Sequence, residues 1–99
     1  HAAGTLDDGV ITDLTPERLE SVFGAKVEGA AHLYALTENA TLDFFVLFSS
    51  IASVIGNPGQ ANYAAANQWL DALAAKGRSE NRPMVSIAWG TWAHGGMAA

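Results

Sequence analysis

Two apolar runs on either side of an alanine-rich segment constrain the fold more than any other feature of this sequence. Residues 44–48 form the first run, which is followed by two serines, and residues 84–89 form the second. Unbroken apolar runs such as the first are typical of strands that are covered on both faces, as in parallel sheets, and the second run is interrupted only by Ser86. Residues 60–76 contain no helix breaker before Gly77, which predicts a helix that ends at this glycine. Strand, helix and strand in this order form a βαβ unit, so we predict an α/β fold with a parallel sheet.

Polar side chains follow the first strand and begin the next helix. Ser50 closes the first strand region, and Tyr63 and Asn67 lie four residues apart on one face of the helix. Gly90 and Thr91 follow the second strand and are therefore expected at the same edge of the sheet as Ser50. Open α/β sheets bind ligands at this carboxyl edge. Each residue also has an ordinary interpretation, as a turn cap, a core residue or a polar group on a helix surface.

Another helix is predicted before the first strand, beginning at Thr15 and Pro16. A hydroxyl at the N-cap and a proline at the first helical position are typical signals of a helix start. Apolar residues then recur at three- and four-residue spacing as far as Tyr34, so one face is expected to be buried. Lys26 falls on this apolar face. Because an uncompensated buried ammonium is costly, a lysine that extends to the surface is the usual interpretation.

The first nine residues are rich in small and acidic side chains and are predicted to form a loop. Ala2, Ala3 and Gly4 suit either a tight turn or the close approach of backbone to a ligand. Asp7 and Asp8 are adjacent carboxylates, which suggest metal binding or acid–base chemistry. Because no further carboxylates follow at ligand spacing, a solvated turn is the favoured interpretation, and no metal is predicted.

Length, charge and cysteine content exclude several classes of function. A chain of 99 residues with a net charge of −5 forms at most one domain and offers no basic surface for nucleic acid. The chain contains no cysteine, which excludes disulfides and thiolate metal sites. No apolar stretch reaches the roughly 20 residues of a membrane helix, and we expect a cytoplasmic protein. The missing initiator methionine and the loop-like last residues suggest a piece of a longer chain.

Lys26, Ser50, Tyr63 and Asn67 together resemble the active site of short-chain dehydrogenase/reductases. In common members of that superfamily, a lysine stands four residues after the tyrosine and an asparagine lies on the earlier helix. Here the two residue types are exchanged, which resembles the ketoreductase domains of modular type I polyketide synthases. The segments similar to that family are residues 1–4, 6–8, 14–18, 48–50, 59–67 and 89–90. The resemblance implies a Rossmann-like, doubly wound parallel sheet. Residues 1–99 would be a partial catalytic subdomain that lacks the glycine-rich amino-terminal half and the lid.

The resemblance also implies a reaction, in which NADPH reduces the 3-keto group of an acyl chain to a hydroxyl. The chain would be carried as a phosphopantetheine thioester by an acyl carrier protein of the same polyketide synthase. Tyr63 would donate the proton, Ser50 would hydrogen-bond the same oxygen, and Lys26 would favour tyrosinate and contact the cofactor ribose. Asn67 would complete the hydrogen-bond network around Lys26. The implied cofactor contacts are Ala2, Ala3, Gly4, Lys26, Tyr63, Ala88, Gly90 and Thr91. Because the glycine-rich fingerprint is absent, these residues alone are expected to bind cofactor poorly.

Stereochemistry of the product is implied by a short acidic motif. Leu6, Asp7 and Asp8 resemble the motif of family members that give the D-configured 3-hydroxyl. Members of the opposite class carry tryptophan eight residues before the catalytic tyrosine, where this chain has Ile55. Ala65 replaces the proline that some epimerising members carry two residues after the tyrosine. The residues expected to control substrate orientation are Leu6, Asp7, Asp8, Ile55 and Gln60.

Two other classes of function are compatible with parts of the sequence. A structural half-domain without reductase activity would keep the fold and contribute only contacts within a synthase. A serine hydrolase would also use a serine that follows a strand. Ser50 lacks the Gly-x-Ser-x-Gly turn of that class, and no histidine has an identified orienting partner, so this class is disfavoured.

Overall fold

The computed structural model describes residues 1–93. Along the chain, helices precede and follow the first strand, and the second strand is the last element. The elements in chain order are a 3-10 turn (Ile11–Asp13), helix α1 (Pro16–Phe23), a π-helical turn (Gly24–Glu28), helix α2 (Gly29–Leu36), strand β1 (Phe45–Ser50), helix α3 (Ala52–Ile55), helix α4 (Ala61–Ser79) and strand β2 (Met84–Trp89). None of the helices within residues 1–93 is long and apolar enough to cross a membrane.

The two strands pair in parallel and are joined through α4, which confirms the predicted βαβ unit. Phe45 is paired with Met84 at the start of the register, and Ser50 is paired with Trp89 at its end. The first strand begins one residue later than the apolar run and includes both serines, while the side chain of Phe44 is 74% exposed. The carboxyl ends of both strands therefore meet at one edge, as predicted for Ser50 and the residues after Trp89.

One face of β1 forms the centre of the core. Phe45, Leu47 and Ser49 are buried, and the alternate residues of the strand are only half-buried. The buried face packs against the helical side chains of Ala30 and Leu70, together with other apolar residues of α4. Sequence analysis predicted strands covered on both faces. The helices described within residues 1–93 cover only one face, so coverage of the other face stays a prediction.

His1 extends the sheet on the other edge of β1. Its amino group donates to the Val46 carbonyl at 2.7 Å, and its carbonyl accepts from the Phe48 N–H at 3.0 Å. Two bonds of this kind, flanking one residue of the neighbouring strand, are the pattern of parallel pairing. The backbone that follows His1 therefore leaves the sheet at the carboxyl edge, beside Ser50.

Helix α4 passes through the glycine that was expected to end it. Gly77 is buried inside the helix, which continues to Ser79. A Cβ atom at Gly77 would collide with the side chain of Met84, the first residue of β2. The glycine therefore allows α4 to approach β2 closely, and the prediction that it terminates the helix is wrong.

The helical region before β1 begins as predicted but is not a regular α-helix throughout. The Thr15 hydroxyl accepts from the Arg18 N–H at 3.3 Å, and Pro16 is the first helical residue. Between α1 and α2 the helix widens into the π-helical turn, which sequence analysis did not predict. The short helix α3, which follows β1, was not predicted either.

Candidate active site

A cavity of about 600 Å³ opens at the carboxyl ends of β1 and β2. Its walls come from the loop after His1, the π-helical turn, the first turn of α4 and the residues after each strand. The site residues predicted from sequence that line it are Ala2, Gly4, Leu6, Asp8, Lys26, Ser50, Ile55, Gln60, Tyr63, Gly90 and Thr91. The structure therefore brings together residues that are spread over most of the chain.

Four of the predicted site residues lie outside the lining of this cavity. Asn67 is fully buried below Tyr63, and Ala3 is exposed to solvent. Ala88 is half-buried within β2. The carboxylate of Asp7 points to Arg18, whose Nε lies 2.9 Å away.

Lys26 reaches the cavity from the π-helical turn. Its exposure is only 4%, and its Nζ donates to the Phe48 carbonyl at 2.9 Å. The same Nζ lies 5.4 Å from the centroid of the Tyr63 ring, within the range of a cation–π contact. Burial removes water from the ammonium and lowers the pKa of Lys26 below its usual 10.5. The interpretation that this lysine extends to the surface is therefore wrong.

The π-helical turn, which is wider than an α-helical turn, directs Lys26 toward the cavity. The N–H of Gly29 bonds to the carbonyl of Gly24, five residues earlier, as in a π-helix. Isolated π turns inside α-helices are frequent at functional sites. Gly29 also packs closely, since a Cβ there would lie 3.1 Å from the His1 imidazole. Gly24 and Gly29, at the two ends of this turn, are the local signal in the sequence for an irregular helix.

Ser50 presents a hydroxyl at the end of β1. Its Oγ accepts a hydrogen bond from the Ala52 N–H at 3.1 Å, at the start of α3. This contact is the turn-capping role of the ordinary interpretation. Because a hydroxyl carries one donor and two acceptor positions, the Ser50 O–H can still donate to a molecule in the cavity.

Tyr63 lies in the first turn of α4, as predicted, and is half-buried. One turn later, the Asn67 amide donates to the Tyr63 carbonyl at 2.8 Å. The Asn67 carbonyl accepts from the Ser49 hydroxyl at 3.2 Å, which ties α4 to β1. Within residues 1–93, the buried side-chain oxygen of Asn67 has no hydrogen-bond partner. A direct Asn67–Lys26 bond is likewise absent from the described part of the chain, and the predicted network around Lys26 stays a prediction.

The acidic loop is held by two side chains. Arg18 pairs with Asp7, and its guanidinium also donates to the Asp8 carbonyl and, at 3.2 Å, to the Asp13 carbonyl. The Gln60 amide donates to both carboxylate oxygens of Asp8 at 3.2 Å. No three His, Cys, Asp or Glu residues in positions 1–93 are placed to hold a metal ion. Hydrogen bonds therefore anchor the loop, while Asp8 stays exposed to solvent, as sequence analysis favoured.

Asn62, which precedes Tyr63, was not among the predicted site residues. It is completely buried, and its amide nitrogen donates to the carbonyls of Asp7 at 2.9 Å and Arg18 at 3.3 Å. Its side-chain oxygen accepts from the Tyr63 N–H at 2.8 Å. A polar residue at the start of a helix was the only local signal, and that signal does not reveal contacts to a distant loop.

Parallel strands, a cavity at their carboxyl edge and a buried lysine beside a tyrosine define an α/β domain of Rossmann-like fold, of the short-chain dehydrogenase/reductase type. The model of the KR domain family matches residues 1–94. The chain therefore belongs to the KR family, the ketoreductase domains of polyketide synthases.

Related chains are segments of much longer synthases. The spectinabilin polyketide synthase system protein NorB of Streptomyces orinoci is 55% identical over 100 residues, which cover 100% of this chain and 5% of that protein. The mycoketide-CoA synthase of Mycobacterium tuberculosis is 51% identical over 92 residues, which cover 93% of this chain and 2% of the synthase. The 99 residues thus correspond to a small part of each relative.

Solved structures of ketoreductases superpose closely on this chain. The first ketoreductase of the tylosin polyketide synthase gives a TM-score of 0.93 at 56% identity, over 98% of this chain and 22% of that one. A structure of A-type ketoreductases from a modular polyketide synthase gives a TM-score of 0.94 at 50% identity, over 97% of this chain and 20% of that one. The Rossmann-like fold implied by the sequence is confirmed.

Proposed function

We propose that this chain supplies the catalytic wall of a ketoreductase domain that uses NADPH to reduce the 3-keto group of an acyl chain on an acyl carrier protein. The observation that carries the proposal is the shared cavity of Lys26, Ser50 and Tyr63, with the lysine ammonium beside the tyrosine ring. Family membership supports the class of reaction. The rest of a polyketide synthase would deliver the substrate, and we place the assembly in the cytoplasm.

Each side chain of the cavity has a role that follows from its chemistry. Reduction adds a hydride to the keto carbon and a proton to the keto oxygen. The Tyr63 hydroxyl gives that proton, and the Ser50 hydroxyl donates a hydrogen bond to the same oxygen as negative charge develops on it. The Lys26 ammonium stabilises the tyrosinate left behind, because an opposite charge nearby favours the ionised form.

The cavity fits one part of a nicotinamide cofactor. Small residues at its wall, Ala2, Gly4 and Gly90, leave room for a flat ring to approach the backbone. Thr91 adds a hydroxyl to the wall, and the Lys26 ammonium would contact the cofactor ribose. When bound, the cofactor supplies the hydride. The glycine-rich fingerprint that holds a pyrophosphate is not part of this sequence, so the fit covers the nicotinamide end only. Ala3 and Ala88 remain proposed cofactor contacts at the two strand ends.

The acidic loop supports a D-configured, non-epimerised product. Leu6 and Asp8 line the cavity together with Ile55 and Gln60, so the residues expected to orient the substrate share its surface. Asp7 contributes from outside the lining by pairing with Arg18. Reduction of a 2-methyl-3-ketoacyl thioester and chiral analysis of the alcohol test this choice. Predominantly L-hydroxyl product would overturn it.

A chimera tests the proposed reaction directly. Residues 1–94 of this chain replace the matching segment of the first ketoreductase of the tylosin synthase, whose structure superposes on this chain at 56% identity. We expect this chimeric domain to oxidise NADPH in the presence of a 3-ketoacyl thioester. The unmodified tylosin domain is the control for folding and assay. A folded chimera that binds NADPH without reducing the thioester would instead support a structural half-domain.

A further inference from the structure

We infer that Asn62 is a positioning residue that sets the place of the Leu6–Asp8 loop relative to Tyr63, and through it the orientation in which the keto substrate is held. The inference rests on the proposed function. It concerns a residue that touches neither the cavity nor the reacting atoms, and its effect is passed on through the loop and the helix that it joins.

Both the nitrogen and the oxygen of the Asn62 side-chain amide are hydrogen-bonded. Its amide nitrogen donates to two carbonyls, those of Asp7 and Arg18, and its oxygen accepts from the Tyr63 N–H. An amide offers two N–H donors on its nitrogen, so both are engaged. Its exposure is 0%, so no water competes for these bonds. One buried side chain thus links the loop, the helix α1 and the first turn of α4.

The remaining ties of the loop lie nearer to solvent. Arg18 binds the Asp7 carboxylate with both side chains about one-third exposed. The Arg18 bond to the Asp8 carbonyl and the bonds between Gln60 and Asp8 are exposed. Exposed side-chain contacts of this kind typically contribute little to stability. The Gly9 N–H, just after the loop, donates to the Gly59 carbonyl at 2.7 Å. The buried amide of Asn62 is therefore the contact best suited to fix the distance between the loop and Tyr63.

The distance between the Leu6–Asp8 loop and Tyr63 affects the reaction, because both the loop and Tyr63 would contact the substrate. Leu6 and Asp8 line the cavity on the side of the loop, and Tyr63 lines it from α4. A displacement of about 1 Å between groups that hold a substrate and groups that react with it can cost roughly a hundredfold in rate. A looser loop would also let the keto group present its opposite face, since the same carbonyl oxygen can reach Tyr63 in two orientations.

The experiment compares Asn62→Ala with Arg82→Ala in the chimeric domain. Arg82 is half-buried and likewise hydrogen-bonds across the fold, to Thr37, but it precedes β2 at the opposite end of the strands from the cavity. Each variant is measured for the ratio of the two 3-hydroxyl epimers, for KM and kcat with the keto substrate, for KM with NADPH, and for Tm. Both substitutions are expected to lower Tm.

Only Asn62→Ala is expected to change the product. Loss of the hydrogen bond to the loop and of the bond to α1 predicts about a tenfold rise in the fraction of the minor epimer and a similar rise in KM for the keto substrate. The KM for NADPH should stay within twofold. If Asn62→Ala does not fold, Asn62→Ser keeps a small polar group that can accept from the Tyr63 N–H but is too short to bridge the two carbonyls, and the same changes are expected.

Two results would overturn the inference. One is an unchanged epimer ratio with unchanged KM in a folded Asn62 variant. The other is an equal change in Arg82→Ala, which would show a general loss of stability. Failure of the proposed function is separate, because it would appear as an inactive chimera before any variant is compared.

Discussion

The Nζ atom of Lys26 lies 5.4 Å from the centroid of the Tyr63 ring, although the two residues belong to different helices and are far apart in the chain. The same Nζ donates to the Phe48 carbonyl at the end of β1. A carbonyl dipole and an aromatic face compensate part of the cost of removing an ammonium from water. The Lys26 ammonium thus connects the π-helical turn to the end of β1 and to the first turn of α4.

Burial of Lys26 predicts a stability that depends on pH. Because burial holds the pKa of Lys26 below its usual 10.5, the unfolded chain binds more protons than the folded chain at pH values between the two pKa values. The free energy of unfolding should therefore increase as pH is raised through this window. Lys26→Met should abolish the increase in the chimeric domain, as measured by urea unfolding at a series of pH values.

Lys76 provides the matched control, since it is an exposed lysine of α4. Lys76→Met should keep the increase with pH that the unsubstituted chimera shows. An identical pH dependence in the Lys26→Met variant would contradict the placement of a buried ammonium at this site.

Ser50 is predicted to contribute to the reaction more than to stability. Ser50→Ala removes one hydrogen bond to the keto oxygen, for which we expect a fall of about tenfold to a hundredfold in kcat. The bond from the Ala52 N–H is lost as well, at a cost of about 1 kcal/mol of stability. Steady-state kinetics and thermal unfolding of the chimera measure the two effects.

The control variant for Ser50→Ala is Ser53→Ala, in helix α3. The Ser53 hydroxyl donates to Asp71 at 2.7 Å and does not line the cavity. This variant should lose stability of similar size and keep its kcat within about threefold. Equal losses of kcat in both variants would argue against a direct role of Ser50.

Two helical glycines should respond in opposite directions to substitution by alanine. A Cβ at Gly77 would collide with Met84, so Gly77→Ala should lower the free energy of unfolding by about 1–3 kcal/mol. Gly24 has no neighbouring atom within 4 Å of such a Cβ, so Gly24→Ala should raise the free energy of unfolding by about 0.5–1 kcal/mol. Urea unfolding of the two variants tests this. A stabilising Gly77→Ala would contradict the close packing of α4 on β2.

Local signals in the sequence were sufficient to predict the order of the main strands and helices and the parallel pairing of the strands. The apolar runs and the alanine-rich segment predicted the parallel βαβ unit, and strand ends that meet at one edge placed Ser50 near Tyr63. A hydroxyl before Pro16 located the start of α1. These features depend on residues close in sequence, whose preferences agree with the fold.

Features that depend on distant contacts were not predicted. Asn62 bonds to carbonyls 55 and 44 residues away, and no spacing rule connects it to them. Gly77 is a typical helix-ending residue, but its contact with Met84 across the chain outweighs that preference. Lys26 is placed by a π-helical turn, whereas the expected α-helical spacing only located it on the apolar face.

The most direct test of the account is the loss of a single hydroxyl. Tyr63→Phe in the chimeric domain removes the proposed proton donor, and a fall in kcat of roughly a hundredfold or more is expected for a positioned acid. Tyr34→Phe is the control, since that hydroxyl bonds to Glu80 away from the cavity. NADPH oxidation is measured with the same 3-ketoacyl thioester and saturating cofactor. We expect a large loss of kcat in Tyr63→Phe and none in Tyr34→Phe. Equal rates for Tyr63→Phe and the unsubstituted chimera would contradict the role of Tyr63 as proton donor.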